Sequence, residues 1–235
     1  MRVKLIAHTK DAQHICAVAA RTCYSNEDPI DLAVSMDRNK DVERIDDIMD
    51  RGHHSVIEHA YYTFAISGVS RSLTHQLVRH RIASYSQQSQ RYVDLGEITY
   101  VMPPSIARDP EAMQIYQETM KIIWGAYRTL AELVPREDAR YVLPNGCTTN
   151  IIVTMNAREL LHFFSLRLCG RAQWEIRQLA HEMWMQADQV SPALFDGAGP
   201  GCVRGPCPEG KNTCGKPWEK KVKRNGKDAS TTDKS

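Results

Sequence analysis

The sequence predicts an α+β fold, and three observations carry that prediction. Stretches with apolar residues at helical spacing outnumber stretches that alternate at period two. The two kinds follow one another without the regular strand–helix–strand rhythm of a doubly wound parallel sheet. No internal repeat at any period points to a solenoid or propeller. The 235 residues, 42% apolar and 25% charged, have the composition of an ordinary globular chain that buries most of its apolar surface without disulfide staples.

Residues 2–8 alternate apolar and polar side chains and read as an opening strand, and residues 11–23 then space Ile15, Cys16, Ala19 and Cys23 at helical intervals. Residues 41–51 repeat that spacing through Val42, Ile45 and Ile48, and Gly52 suits a helix C-terminus that needs a positive φ. Residues 61–67 alternate again, as a strand. Ser70 is placed to cap a helix through Leu73, Leu77 and Val78, which delivers Arg79, His80 and Arg81 at its C-terminal end. Residues 83–90 hold three serines, three glutamines and one aromatic ring without periodicity, so they read as a loop of hydrogen-bonding side chains.

Residues 109–134 form the longest helical stretch, with Pro110 in its first turn, an apolar face of Ile115, Met120, Ile123, Trp124 and Leu130, and Pro135 as its stop. Residues 147–155 have the β-branched density of a strand. Asn156 then suits the cap of a helix through Leu160, Leu161, Phe164 and Leu168, and a last helix covers 172–190. After Pro192 the composition shifts to Gly, Pro, Cys and Lys. The expected organisation is a catalytic domain over 1–200, a Cys/Gly/Pro-rich lobe over 201–215, and a basic, disordered tail over 216–235.

The net charge of +2 conceals an asymmetry: the last twenty residues carry seven basic and three acidic side chains, so the rest of the chain is slightly acidic. That argues against a chain-wide nucleic-acid surface. Apolar runs such as 160–164 fall far short of the ~20 residues of a membrane span. Seven cysteines, an odd number without an export signal, favour reduced thiols and a cytoplasmic setting.

Several near-motifs have simpler readings. Residues 205–212 follow a phosphate-loop spacing but end in Asn212 where a hydroxyl is needed, and Pro206 and Pro208 lack the N–H groups that cradle phosphate. His53, His54, Glu58 and His59 match neither zinc-protease order, and a short helix with a Ser55–Glu58 capping box accounts for them. Cys202, Cys207 and Cys214 are spaced more loosely than a zinc knuckle and lack a fourth ligand. No metal ligand is therefore assigned, although a zinc hydrolase stays a minor alternative.

Residues 79–91 are different. Arg79, His80, Arg81, Ser84, Ser86, Gln87, Gln88, Ser89, Gln90 and Arg91 concentrate guanidinium forks and directional donors that suit a nucleotide-like anion. A non-catalytic nucleic-acid module is the competing reading, weakened by only four phenylalanines and no aromatic-rich strand for base stacking.

Arg79-His80-Arg81, seven intervening residues and Ser89-x-Arg91 resemble the signature of the flavin-dependent thymidylate synthases. The run from His53 to His59, Asn156-Ala157-Arg158-Glu159-Leu160-Leu161-His162, Leu166-Arg167 and Ala172-Gln173-Trp174-Glu175-Ile176 extend the resemblance over most of 1–200. It implies an antiparallel or mixed sheet flanked by helices, a homotetramer with shared active sites, and no Rossmann fold for its flavin. It further implies methylation of dUMP to dTMP, with carbon from 5,10-methylenetetrahydrofolate and hydride from FAD that NADPH has reduced.

By the same resemblance, Ser55, Glu58, Arg79, His80, Arg81, Asn156, Arg158 and His162 contact FAD. Gln76, Arg79, Gln87, Gln88, Ser89, Gln90, Arg91, Arg140 and Arg167 contact dUMP. Arg167 is the implied catalytic residue, its charge favouring ionisation of the uracil ring, and no cysteine attacks carbon 6. Three positions depart from the usual pattern: Gln87 where many members carry a carboxylate, His162 where an Asn often contacts flavin, and Arg171 where a His often lies near the ring.

Overall fold

Alternating burial along two segments builds the sheet. In Tyr61–Ser70 the side chains of Tyr62, Phe64 and Ile66 point inward, and in Thr148–Asn156 those of Thr149, Ile151, Val153 and Met155 do so, as a pleated strand requires. The computed structural model describes residues 1–93 and 99–218. In chain order these residues form β1 (Arg2–His8), α1 (Ala12–Thr22), α2 (Pro29–Ser35), α3 (Asp41–Asp50), β2 (Tyr61–Ser70), α4 (Arg71–Leu77), β3 (Ala83–Gln87), α5 (Pro104–Ala107), α6 (Pro110–Leu133), α7 (Arg136–Ala139), β4 (Thr148–Asn156), α8 (Ala157–Arg167), α9 (Trp174–Val190) and α10 (Pro192–Phe195). The strands make one antiparallel sheet in the order β1-β2-β4-β3. No helix among the described residues is long and apolar enough to cross a membrane.

The chain divides into two compact units, one of Met1–Arg2, Ala65–Arg79 and Tyr85–Ile152 and a second of Val3–Phe64, His80–Ser84 and the described residues from 153 onward. The first unit buries Ile66, Val69, Leu73, Leu77, Met120, Tyr127 and Ile151. The second has the aromatic core: Tyr62 and Phe164 each meet Phe195 edge-on, at 5.2 and 5.9 Å between ring centroids, and Phe163 lies 5.9 Å from Phe164. Such edge-to-face contacts add to the burial of large apolar rings.

Local chemistry explains the helix starts. Ser70 accepts from the Leu73 N–H, Asp109 from the Glu111 and Ala112 N–H groups, Asn156 from the Glu159 N–H and Gln173 from the Glu175 and Ile176 N–H groups, each pairing an orphan donor of a first turn. Gly52, at φ 73, ends α3 with the left-handed conformation expected there.

Two expectations are corrected. Residues 83–90 are not wholly a loop: 83–87 form β3, with Ala83, Tyr85 and Gln87 half-buried and the two serines exposed, and the Gln88 N–H continues to the Asn150 carbonyl at 2.9 Å. The polar Gln87 at an inward position, and the polar run after it, hid the alternation. The Ser55–Glu58 capping box is absent: His54–His59 is a 3-10 helix without a side-chain cap, and Glu58 pairs with Arg158 instead. The tail expected to be disordered over 216–235 lies outside the described residues beyond Trp218.

Replacing Phe164 by Ala is expected to cost about 3–5 kcal/mol in urea denaturation, because it opens a cavity in the aromatic core. Replacing the exposed cap Asp109 by Ala is expected to cost only about 1 kcal/mol.

Candidate active site

The first unit gathers most of the residues expected to meet the substrate. Gln76 and Arg79 lie on and just after α4, Gln87 closes β3, Gln88–Arg91 follow it, and Arg140 follows α7. Several of them are held by specific partners. Tyr85 donates its hydroxyl to the Leu77 carbonyl at 2.8 Å, tying β3 to α4. Gln87 donates its amide to the buried Thr74 hydroxyl at 3.0 Å, so it acts here as a strut with no charge. The Asn150 amide donates to the Gln88 side chain at 2.9 Å, and the Ser89 hydroxyl accepts from the Arg91 N–H at 3.1 Å.

The cations of this unit lie close together. Arg91 pairs with Glu137 at 2.7 Å, both side chains being about half exposed, and Arg140 donates through Nε to the Glu137 carbonyl at 3.0 Å. Arg71 was not foreseen. It donates to the Gln88 carbonyl at 3.1 Å, while its Nε is buried without a hydrogen-bond partner. Burial, and then the neighbouring Arg140 guanidinium, push the Arg71 pKa down. Two like charges and an orphan donor in one place favour binding of an anion. In the sequence Arg71 is merely the first residue after a cap; only the fold turns it to this cluster.

The second unit gathers the residues expected to meet the flavin: Ser55 and Glu58 on the 3-10 helix, His80 and Arg81, then Asn156, Arg158 and His162 around the start of α8, with Arg167 at its end. Ser55, Arg81, Arg158 and His162 are exposed. Arg79, expected at both ligands, belongs to the first unit and is exposed.

His80 is the best-determined group here. Its side chain is 3% exposed, with Phe163 edge-on at 4.9 Å and His162 at 5.7 Å. Nδ1 lies 3.1 Å from Glu159 Oε1, and Arg167 donates through Nε to Nε2 at 3.2 Å. Burial first, then the Arg167 charge and then His162, push the His80 pKa down to about 4, so the ring is neutral at physiological pH. Burial pushes the Glu159 carboxyl up, opposed by His162. Sequence reading missed Glu159, an isolated acid inside a helical pattern.

The two buried thiols, Cys16 and Cys147, are held in the protonated form. Burial raises Cys16 to about 12 and Cys147 to about 11, the opposite of what a nucleophile needs. Among the described residues one group of potential metal donors converges, His80, Glu159 and His162, within 4.8 Å of one another; the run 53–59 and the three C-terminal cysteines form no such group. In the C-terminal lobe Cys202 accepts from the Trp218 N–H at 3.4 Å, and Cys214, Trp174, Arg177, His181 and Trp218 help to line a cavity of about 780 Å³.

Comparison with known proteins identifies the family of the chain. Residues 4–193 match the family described as thymidylate synthase complementing protein. A relative from Geobacter sulfurreducens is 51% identical over 224 residues, covering 94% of this chain and 97% of its own length, and one from Clostridium tetani is 47% identical over 238 residues, covering 94% and 96%. A third, from Pyrococcus furiosus, is 43% identical over 219 residues, covering 89% and 90%. All three are named flavin-dependent thymidylate synthase. With nearly the whole chain matched, this protein belongs to the thymidylate synthase complementing family and is an enzyme of the flavin-dependent thymidylate synthase type.

Proposed function

We propose that the enzyme methylates dUMP to dTMP in the cytoplasm, taking the carbon from 5,10-methylenetetrahydrofolate and the hydride from FAD reduced by NADPH, as a homotetramer with shared active sites. The observation that carries this reading is the state of Arg167. Its guanidinium is half-buried and its Nε is anchored on a neutral imidazole, which makes it a fixed cation in a partly desolvated place. Set against uracil N3 and O4, such a charge stabilises the ionised ring and makes carbon 5 more nucleophilic without a covalent enzyme adduct. The unactivated thiols Cys16 and Cys147 fit the same economy.

For the phosphate dianion, the reading assigns Ser89, Arg91 and backbone N–H groups of their loop, and the buried, unpartnered Nε of Arg71 supports adding that guanidinium to the set. Gln76, Gln88 and Gln90 supply directional contacts, and Gln87 braces the loop through Thr74. The donor set of the second unit fits FAD chemically. Exposed Arg81 and Arg158 offer guanidinium forks for a diphosphate, and Ser55, Glu58, Asn156 and His162 offer hydroxyl, carboxylate, amide and imidazole groups to the rest of the ligand. When bound, the flavin supplies the hydride chemistry that no side chain provides. The chain's own part is to hold, orient and charge-match.

The neutral His80 has a consequence for stability. Its pKa falls from the ordinary 6.5 to about 4 on folding. Between those values the unfolded chain takes up a proton that the folded chain does not, so stability declines as the pH falls through that window. Glu159, raised by burial, acts in the opposite sense, losing stability as the pH rises above the ordinary carboxylate range.

Purified protein supplemented with FAD is expected to show a bound-flavin spectrum that bleaches faster under NADPH when dUMP is present; a chain that stays colourless sinks the reading. Arg167→Ala is expected to abolish dTMP formation while flavin stays bound. Arg71→Ala is expected to raise KM for dUMP by about tenfold or more, the worth of a charge-assisted hydrogen bond, with a smaller effect on kcat. In urea denaturation from pH 7 down to pH 4.5, the wild-type enzyme is expected to lose more stability than His80→Gln does.

A further inference from the structure

Resting on the assignment of Arg167 to the uracil, we propose that Glu159 is a positioning residue, which locks the His80 ring through Nδ1 so that Nε2 aims the Arg167 guanidinium. The argument begins with protons. A guanidinium N–H can only donate, so the Arg167 Nε contact at 3.2 Å requires a lone pair on His80 Nε2. In the neutral ring the proton then sits on Nδ1, 3.1 Å from Glu159 Oε1, and the carboxylate accepts it. The relay runs from Glu159 through His80 to Arg167, with each donor facing an acceptor.

Geometry and burial make the relay stiff. The Glu159 side chain is 6% exposed and that of His80 3%, so water does not readily replace either partner. The Glu159 backbone is fixed by the Asn156 cap at 2.9 Å, and Phe163 packs edge-on against the imidazole at 4.9 Å, limiting its rotation. Glu159 and Arg167 are eight residues apart on one helix, roughly 12 Å of rise. Side chains on a helix lean toward its N-terminus, which lets Arg167 reach back to the ring that Glu159 holds.

The same cluster does not make a metal site. His80, Glu159 and His162 offer donor atoms within 4.8 Å of one another, but the Arg167 guanidinium already occupies His80 Nε2 and places a fixed positive charge where a cation would sit. The orienting device uses both ring nitrogens of His80 as they stand; a metal would have to displace Arg167 from one of them and oppose its charge.

The test combines turnover with a readout that needs none. In ¹⁵N NMR of the FAD-loaded wild-type enzyme, His80 is expected in the neutral form with the proton on Nδ1; a neutral ring protonated on Nε2, or a charged ring at pH 7, overturns the proposal. Glu159→Gln, which keeps an Oε1 acceptor, is expected to retain both that tautomer and a kcat near wild type. Glu159→Ala is expected to lose on the order of 100-fold in kcat, as misplacement by about an ångström does, with KM for dUMP moving much less and flavin absorbance retained. If Glu159→Ala does not fold, Glu159→Gln and the wild-type tautomer still decide. A Glu159→Ala enzyme with normal kcat removes Glu159 from the relay while leaving the function intact, whereas a wild-type enzyme that binds flavin but makes no dTMP removes the function and leaves the tautomer to be read.

Discussion

One hydrogen bond starts the part of the molecule on which the chemistry depends: the Glu159 N–H to the side chain of Asn156. It stops a central strand at the sheet's end and begins α8 without an intervening loop. The neighbouring Ala157 N–H is satisfied by the Ala60 carbonyl at 2.8 Å, so the switch from strand to helix is anchored on both sides. From this one turn Arg158, Glu159, His162 and Arg167 take their directions. A loop in the same place would carry the same residues with rotational freedom that the reaction could not use.

Burial around that turn sets the charge states. Withdrawing His80 from water costs little because the ring stays neutral, whereas an ammonium or a second carboxylate in its place would need a full counter-charge. The imidazole therefore links a buried acid to a half-buried guanidinium without carrying net charge itself. In the first unit the arrangement is opposite. Arg71, Arg91 and Arg140 crowd together, one of them engaged by a half-exposed acid whose attraction is weakened by solvent. That local excess of positive charge is useful only to something anionic.

Much of this could be read from the sequence where physics is local. The caps at Ser70 and Asn156, the left-handed Gly52, the alternation of β2 and the β-branched density of β4 depend on residues a few positions apart, and the structure shows those elements as read. The convergence of Arg79–Arg91 was visible as composition, and its resemblance to a family signature assigned roles that composition lacks. What stayed hidden depends on distance along the chain. β3 owes its pairing to β4 some sixty residues away rather than to its own polar sequence. Arg91 finds Glu137 across 46 residues, and Glu159 finds His80 across 79. Nothing near Arg71 in the sequence signals that its Nε will be buried without a partner.

The protonated thiols have a further use. Cys16 is fully buried in the second unit and Cys147 nearly so in the first, and burial raises both to pKa values of about 12 and about 11. At neutral pH the reactive thiolate is a vanishing fraction of either side chain, and alkylating reagents or oxidants meet neither while the fold is closed. The rate at which Cys16 or Cys147 becomes modified therefore counts the moments at which the packing around that side chain lets solvent in.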